Sequence, residues 1–314
     1  MAHKIILDTD PGIDDAMAIF FAFQSKDIEV LGLTTVFGNV PADMAAKNAL
    51  ILCDLAEQHH VPVTKGVARP WVGPESEYAH FVHGDDGFGN TYPEASKRAL
   101  DPRSSAQFIV DMARAHPGEI TLVAVGPLGN LALALRLEPE LPKLIKGVSI
   151  MGGAAFVPGN VTPVAEANIW NDAHAADIVF SADWDVHMFG LDVTYDISFP
   201  PTFVDVLEEK NPVLGGFVQK AAQFYMDFYS QGREDRVCFF HDAFPIAHLI
   251  DPSLFGFTEG HMRVATDPLN KGQTALAPEG STASPDWLNA RKVKVATQVD
   301  HPKLTELFID TYAR

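Results

Sequence analysis

Residues 5–15 of the chain read IILDTDPGIDD, a short apolar run followed by four aspartates. The apolar residues 5–7 predict a first β-strand, and the helical periodicity of residues 14–24 predicts a first helix. Similar Val- and Ile-rich runs alternate with helical segments along the chain. Further strands are predicted at residues 30–36, 120–125, 148–151 and 186–191, and further helices at residues 42–58, 128–137 and 173–180. Strands that are apolar on both faces and separated by helices indicate parallel pairing, with helices on both sides of the sheet.

The remaining segments complete the predicted architecture. Residues 69–93 are rich in Pro and Gly and form the longest predicted loop. Residues 203–250 are mainly helical in pattern, and residues 292–299 predict a late strand before a C-terminal helix. The length of 314 residues would allow two domains, yet no repeat or low-complexity linker divides the chain. We therefore predict the α/β class: an open, mostly parallel central sheet flanked by helices, with a helical elaboration in the C-terminal third, as one domain over residues 1–314.

Composition restricts the function classes. The chain has 47% hydrophobic residues and a formal net charge of −18, which argues for a folded core and against affinity for nucleic-acid phosphates or anionic membranes. Two cysteines cannot supply a disulfide framework or a four-thiolate zinc site. The beginning of the chain lacks the apolar run of a signal peptide, and no stretch approaches the roughly 18 apolar residues of a membrane helix. We expect a cytoplasmic protein whose partners are neutral small molecules or cations.

The four aspartates are the strongest functional signal. Asp8, Asp10, Asp14 and Asp15 fall within eight residues, and carboxylates packed so closely repel unless their pKa values rise or a cation binds. Helix capping explains one of the two later aspartates, but not Asp8 and Asp10. Oxygen ligands without Cys or His suit a hard cation such as Ca²⁺ or Mg²⁺. A cation site is predicted here.

Two known acidic motifs fit this stretch poorly. An EF-hand loop that started at Asp8 would place Gly12 at the fifth position and Ile19 at the twelfth, where oxygen ligands are required. Phosphotransferases with an aspartyl nucleophile begin with a strand and Asp-x-Asp-x-Thr/Val, and Gly12 weakens that interpretation without excluding it. In that alternative, Asp8 would be the nucleophile.

Polar residues also follow the other predicted strands. They occur at residues 37–39, 125–127, 151–153, 159–160 and 166–168, and a His-Asp pair follows an apolar run at residues 241–242. Ligands of open α/β sheets bind beyond the carboxyl ends of the strands, so these segments are expected to converge near Asp10.

These segments resemble a known family. Residues 8–16, DTDPGIDDA, resemble the N-terminal signature of the inosine–uridine preferring nucleoside hydrolase family. The likeness continues in family order through residues 34–39, 83–84, 126–130, 151–153, 165–168 and 241–242, and it spans all but roughly the last 60 residues. The first motif is highly specific, whereas the others are weak individually.

The resemblance implies hydrolysis of the N-glycosidic bond of purine or pyrimidine ribonucleosides to ribose and free base, in nucleoside salvage, with a bound Ca²⁺ in an open α/β fold. It also implies a homo-oligomer, a dimer or a tetramer. The implied metal ligands are Asp10, Asp15, Asp242 and the backbone carbonyl of Val125. The implied substrate-binding residues are Asp14, Asn39, His83, Met151, Asn160, Glu166, Asn168 and Tyr229. The implied catalytic residues are Asp10, as general base, and His241, as the acid that protonates the departing base, with titration expected near neutrality.

The chain departs from the family at Ala167, where an aromatic residue is common. A base-stacking surface is therefore expected from elsewhere, with Trp71, Phe156, Tyr229 and Phe240 as candidates. Tyr225, Tyr229 and Arg233 lie in a stretch that resembles a family substrate lid, with the two tyrosines on one helical face. Two other functions stay open: a Mg²⁺-dependent phosphatase or phosphotransferase that uses Asp8 and Asp10, and a non-catalytic nucleoside- or ribose-binding protein.

Overall fold

The computed structural model describes residues 2–74 and 77–314. Its strands are β1 (His3–Thr9), β2 (Ile28–Thr35), β3 (Val63–Lys65), β4 (Asp101–Ser104), β5 (Ile120–Ala124), β6 (Gly147–Met151), β7 (Val186–Phe189), β8 (Phe255–Val264), β9 (Thr274–Pro278) and β10 (Lys292–Val299). They form one ten-stranded sheet in the order β4-β3-β2-β1-β5-β6-β7-β10-β8-β9. The predicted α/β class with an open, mostly parallel sheet is confirmed, because only the pairings of β8 with β10 and with β9 are antiparallel.

Helices alternate with the strands through most of the chain. They are α1 (Ile13–Gln24), α2 (Ala42–Leu55), α3 (His80–His83), α4 (Ser105–Ala115), α5 (Gly129–Leu137), α6 (Leu141–Leu144), α7 (Ala167–Asn171), α8 (Ala173–Phe180), α9 (Leu191–Thr194), α10 (Pro201–Lys210), α11 (Leu214–Tyr229), α12 (Phe244–Ile250), α13 (Pro285–Leu288) and α14 (His301–Tyr312). Two short 3₁₀ helices are η1 (His241–Ala243) and η2 (Pro252–Leu254). The helical elaboration predicted for residues 203–250 corresponds to α10, α11, η1 and α12.

The core lies on both faces of the sheet. Successive side chains of β1 point to opposite faces, so Ile5 and Leu7 join one buried cluster while Ile6 joins the other. The first cluster contains the apolar faces of α1, α11 and α14, and the second contains those of α4, α5 and α8. This double burial is the reason why the central strands have apolar sequences without polar alternation.

The sequence pattern did not predict four of the strands, which are β3, β4, β8 and β9. Strand β4 lies at one edge of the sheet and contains Asp101, Pro102 and Arg103, whose polarity masks a strand. Strand β8 contains Gly256 and Gly260, and half of its residues are only partly buried. The long loop at residues 69–93 is interrupted by the short helix α3, and residues 75 and 76 of that loop lie outside the described residues.

The parallel order brings the carboxyl ends of the central strands to one edge. Strands β2, β1, β5 and β6 are consecutive neighbours, all in parallel pairs. The segments that follow them therefore emerge side by side, as the sequence predicted. No helix within residues 2–74 or 77–314 is both long and apolar enough to span a membrane.

Candidate active site

The turn between β1 and α1 is organised around the carboxylate of Asp15. Its Oδ1 accepts hydrogen bonds from the hydroxyl of Thr9 and from the backbone N–H of Asp10, at 3.2 Å for the latter. Its Oδ2 accepts from the backbone N–H of Gly12 at 2.9 Å. As the third residue of α1, Asp15 thus caps the helix and at the same time fixes one carboxylate at the edge of the sheet.

Asn39, which follows β2, connects two of the aspartates. Its side-chain Nδ2 donates to Oδ2 of Asp15 at 2.9 Å, and its backbone N–H donates to Oδ2 of Asp10 at 2.6 Å. The resemblance had implied a contact with the sugar for this residue. The hydrogen bonds add a second role, in which Asn39 holds both carboxylates in place.

Two glycines make room for the Asp10 carboxylate. A Cβ atom added to Gly38 would lie 1.9 Å from Oδ2 of Asp10, and one added to Gly126 would lie 2.4 Å from its Oδ1. Any side chain at either position would therefore displace the carboxylate. The glycines that follow β2 and β5 are thus required by close approach to Asp10, rather than by a turn conformation.

A buried group of carboxylates lies at this edge. Oxygen atoms of Asp14, Asp15 and Asp242 lie within 4.8 Å of one another, and Asp10 is completely buried beside them. Burial raises the pKa of all four residues, and repulsion from Asp15 raises the pKa values of Asp10 and Asp14 further. The pKa of Asp14 rises to about 8. Such a group is stable at neutral pH only with protons or with a cation.

The donor set fits a hard divalent cation. Oδ1 of Asp10 and Oδ1 of Asp14 are buried without a hydrogen-bond partner among the described residues. Neither Lys nor Arg is among the residues that line the adjacent cavity in the described part of the chain, so no side-chain ammonium or guanidinium neutralises the group there. The backbone carbonyl of Val125 also lines the cavity and accepts from Nδ2 of Asn168 at 3.0 Å. The structure therefore contains a buried acidic cluster that could bind a metal, with oxygen as the donor throughout.

The opposite wall of the cavity is formed by residues that follow β6. The carboxylate of Glu166 accepts from the backbone N–H groups of Gly153, Asn168 and Ile169 at 2.8–3.2 Å, and burial raises its pKa to about 7. Nδ2 of Asn168 also lies 3.2 Å from the carbonyl oxygen and 3.5 Å from the sulfur of Met151. These contacts fix a carboxylate, an amide and a thioether toward one side of the cavity.

Asn160 is less confined than the other predicted polar residues. It is exposed at the cavity mouth, and its Oδ1 accepts from the backbone N–H of Ala167 at 3.0 Å.

Two histidines and two tyrosines form the third side. Nδ1 of His83 accepts from the backbone N–H of Ile13 at 3.1 Å, and the hydroxyl of Tyr225 donates to Oδ2 of Asp14 at 3.2 Å. Nε2 of His241 lies 3.4 Å from the hydroxyl of Tyr229. Burial lowers the pKa values of His83 and His241 to about 3. This contrasts with the titration near neutrality that the sequence suggested for His241.

The aromatic predictions were partly wrong. Tyr225 and Tyr229 lie on one face of α11 with ring centroids 4.7 Å apart, and both line the cavity, as predicted. Arg233 lies beyond the end of α11, exposed, with its guanidinium 5.5 Å from the Phe239 ring. It therefore does not belong to the helical lid.

Three of the four base-stacking candidates are also misplaced. Phe240 is fully buried against Phe199 and Phe203, Phe156 lines a separate surface depression beside Asp192, and Trp71 is outside the cavity lining. Only the fourth, Tyr229, lines the cavity. The aromatic residues that the sequence analysis missed are Phe81, Tyr195 and Phe228. None of them belongs to a recognisable motif, and only their position in the folded chain reveals them.

The cavity encloses about 160 Å³. The predicted residues among its lining are Asp14, Asn39, His83, Val125, Met151, Asn160, Glu166, Asn168, Tyr229, His241 and Asp242. Asp10 and Asp15 lie directly behind this wall, with no exposed surface.

Asp8 is also buried, and its Oδ1 accepts from the hydroxyl of Thr34 and from Nδ2 of Asn130. Repulsion from Asp15 and Asp14 contributes to the raised pKa of Asp10, whereas the pKa of Asp8 is raised by burial alone. Asp8 therefore lies apart from the carboxylate group, which disfavours it as a nucleophile.

The sequence of the chain matches that of a known protein family. The profile of the "Inosine-uridine preferring nucleoside hydrolase" family matches residues 5–306. The chain belongs to this family. It is a nucleoside hydrolase, an N-glycosidase of the kind that hydrolyses ribonucleosides.

Relatives of this nucleoside hydrolase cover its full length. It is 40% identical over 311 residues to "Probable uridine nucleosidase 2" of Arabidopsis thaliana, covering 98% of this chain and 96% of the relative. It is 38% identical to the "Inosine-uridine preferring nucleoside hydrolase" of Leishmania major, covering 100% and 98%. Among solved structures, "Plant nucleoside hydrolase - PpNRh1 enzyme" superposes with a TM-score of 0.95 at 36% identity, covering 100% of this chain and 99% of that one.

A purine-preferring relative is similar as well. The "Purine-Preferring Ribonucleoside Hydrolase from Gardnerella vaginalis" superposes with a TM-score of 0.92 at 31% identity, covering 99% and 98% of the two chains. Since the names of these relatives span uridine, inosine and purine preferences, the base preference of this nucleoside hydrolase does not follow from the comparisons.

Proposed function

We propose that the protein is a Ca²⁺-dependent ribonucleoside hydrolase that serves nucleoside salvage and accepts both purine and pyrimidine nucleosides. The observation that carries this proposal is the placement of the buried carboxylate group opposite Glu166 and Asn168, with His241 on the third side of the same cavity. A ribose has hydroxyls to engage the first two walls, and its base would extend toward the third.

The ion would be held by Asp10, Asp15, Asp242 and the carbonyl oxygen of Val125. Asp14 contributes an oxygen to the same group, and its Oδ2 accepts a hydrogen bond from Tyr225. Because Asp14 also lines the cavity, it is suited to contact the sugar beside the ion. Calcium is favoured over magnesium because it accepts many oxygen ligands in flexible geometry. When bound, the ion would supply charge neutralisation, orientation of the ribose diol and a lowered pKa of the attacking water.

Asp10 is proposed as the general base. Its Oδ2 is held by the backbone N–H of Asn39, while its Oδ1 has no hydrogen-bond partner among the described residues. That free oxygen is available to accept a proton from the attacking water. The glycines on both sides of the carboxylate hold it in one position.

Glu166, Asn168 and Met151 are proposed to hold the sugar. Breaking the bond between C1′ and the base passes through an oxocarbenium-like state in which the ring flattens. Groups fixed by backbone hydrogen bonds, as Glu166 is, bind a flattened ring without reorganising, and contacts that strengthen in that state lower the barrier. Asn39 and Asn160 contribute amides at the edges of the cavity.

His241 is proposed to neutralise the departing base. Its Nε2 is beside the hydroxyl of Tyr229 at the inner end of the cavity, and His83 lies on the same side. A base that leaves carries developing negative charge, which a hydrogen-bond donor at this position would stabilise.

The test is hydrolysis of inosine, uridine, cytidine, adenosine and guanosine with purified protein, followed by release of free base and reducing sugar. Chelator-treated protein is assayed in parallel, with Ca²⁺ or Mg²⁺ restored. We expect base release that stops on chelation and returns with Ca²⁺. Binding without base release would favour a non-catalytic nucleoside-binding protein, and phosphate release from nucleotides with Mg²⁺ would favour the phosphatase.

Two further expectations stay predictions: assembly as a homodimer or homotetramer, which the resemblance implies, and a cytoplasmic location, which the sequence pattern suggested. Sedimentation of the purified protein and localisation of the tagged chain test them.

A further inference from the structure

Thr194, the last residue of α9, contacts the Nδ1 edge of the His241 ring. Its Oγ1 lies 2.8 Å from Nδ1 of His241. Thr194 has no exposed surface, and His241 is 3% exposed. The other ring nitrogen, Nε2, is directed toward Tyr229 and the cavity. Nδ1 is thus hydrogen-bonded to Thr194, whereas Nε2 faces the part of the cavity where a departing base would lie.

The direction of the hydrogen bond follows from the surroundings of Thr194. If Nδ1 donated to Oγ1, the buried hydroxyl of Thr194 would need another acceptor for its own proton. Among residues 2–74 and 77–314, the only side-chain hydrogen bond of this hydroxyl is the one to His241. A buried hydroxyl without an acceptor is costly. The hydroxyl therefore donates and Nδ1 accepts, which leaves the imidazole proton on Nε2.

We propose that Thr194 is a positioning residue that fixes His241 as the Nε2–H tautomer, so that the imidazole presents a donor to the departing base. The inference rests on the proposed function of His241 and deepens it. When a hydrogen bond fixes one ring nitrogen of a histidine as an acceptor, the other ring nitrogen carries the proton, and the histidine has a single tautomer. As the bond to C1′ breaks and its electron pair moves to the base, the Nε2–H of the neutral imidazole donates a hydrogen bond to the ring nitrogen on which that negative charge develops, and the proton stays on Nε2.

Kinetics of Thr194→Val test this proposal, since valine keeps the shape but removes the hydroxyl. We expect kcat on inosine to fall roughly tenfold, less than the ~10²–10⁴-fold that loss of the whole acid contribution would cost. The loss should be much smaller on 4-nitrophenyl riboside, whose leaving group needs little protonation, and KM should change little on either substrate. Thr194→Ser keeps the hydroxyl and should recover most of the activity on inosine. In a His241→Ala background, Thr194→Val should cost little more.

Nitrogen NMR provides a second readout. In protein labelled with ¹⁵N-histidine, the resonances that disappear in His241→Ala identify this ring. We expect an unprotonated Nδ1 and a protonated Nε2 in the native protein, and a mixture of tautomers in Thr194→Val. A native Nδ1–H, equal losses on both substrates, or additive losses with His241→Ala would overturn the role of Thr194. If the native protein releases no base from any nucleoside, the proposed function itself fails, and the NMR result still decides the tautomer.

Discussion

Nδ2 of Asn39 lies 2.9 Å from Oδ2 of Asp15. The loop after β2 therefore holds a carboxylate of the first turn of α1. The contact joins two segments that meet only because β1 and β2 are parallel neighbours. It also makes Asn39 part of the supporting structure of the acidic cluster, in addition to any contact with substrate.

Replacing Asn39 by Ala should weaken Ca²⁺ binding about 10- to 100-fold, the usual effect of removing a group that orients a metal ligand. Isothermal titration of chelator-treated protein measures this directly. Asn211→Ala is the matched control, because Asn211 caps α11 through the backbone N–H of Leu214 and lies away from the carboxylates. Unchanged Ca²⁺ affinity in Asn39→Ala would mean that Asp15 is held sufficiently by Thr9 and the backbone.

Gly126→Ala should reduce kcat at least tenfold while the protein stays folded, because the new methyl group would lie 2.4 Å from Oδ1 of Asp10 and misplaced catalytic groups lose rate steeply. Steady-state kinetics with circular dichroism measure both effects. In Gly216→Ala, the added carbon meets its nearest neighbour at an ordinary 3.6 Å. That control should keep full activity and gain up to about 1 kcal/mol of stability from helix propensity.

Asp10→Ala should lower turnover by several orders of magnitude, roughly 10²–10⁴-fold from the loss of a general base alone, with normal folding. Asp8→Asn is the informative companion, because Asp8 is buried like Asp10 but lies apart from the carboxylate group. It should retain most activity if folded. Near-normal turnover in Asp10→Ala would remove this residue from the mechanism, and an inactive but folded Asp8→Asn would revive the phosphotransferase alternative.

His248 should make the protein sensitive to mild acid. Burial, and to a lesser extent His187 and Lys294, lower its pKa from 6.5 to about 4. Between these values the unfolded chain binds the proton more readily, so stability is lost as the pH falls from about 6.5 to 4. Because His248 is partly accessible, we expect about 1–2 kcal/mol rather than the full linkage value.

His248→Phe should reduce this loss, since Phe suits the surrounding rings of Phe189 and Phe257, whose centroids lie 5.3 and 5.2 Å away. Urea unfolding at pH 7 and pH 5 measures the difference, with the exposed His301→Gln as control. An equal pH dependence in the native protein and His248→Phe would assign the acid sensitivity to other groups.

The sequence predicted the central part of the fold well, for an identifiable reason. The central strands β1, β5 and β6 are mostly buried on both faces, so their middle residues are mainly apolar, and Ile5, Ile6 and Leu7 are completely buried. The antiparallel strands β8 and β9 have a solvated face and contain or adjoin glycines. Strand β8 depends on pairing with β10, which comes later in the chain, and β9 depends in turn on pairing with β8. Local patterns cannot reveal such pairing.

The site was predictable where motifs carry it and not elsewhere. The acidic turn, the strand-end glycines and the His241-Asp242 pair were all recognisable in the sequence. Thr194 and Tyr195 belong to no motif, although one contacts His241 and the other lines the cavity. Phe156 and Phe240 were plausible aromatic candidates, but nothing in their local sequence distinguishes an exposed or core ring from a cavity ring.

The oxygens of Asp15 and Asp242 meet within 4.8 Å although they come from opposite ends of the chain. During synthesis, a ribosome-bound chain that ends before residue 242 has the acidic turn without its last carboxylate. Such a nascent chain has the residues of the early strands and helices, yet the acidic cluster is completed only in the final quarter of translation. Truncations that remove this late segment should accordingly accumulate as metal-free, protease-sensitive forms.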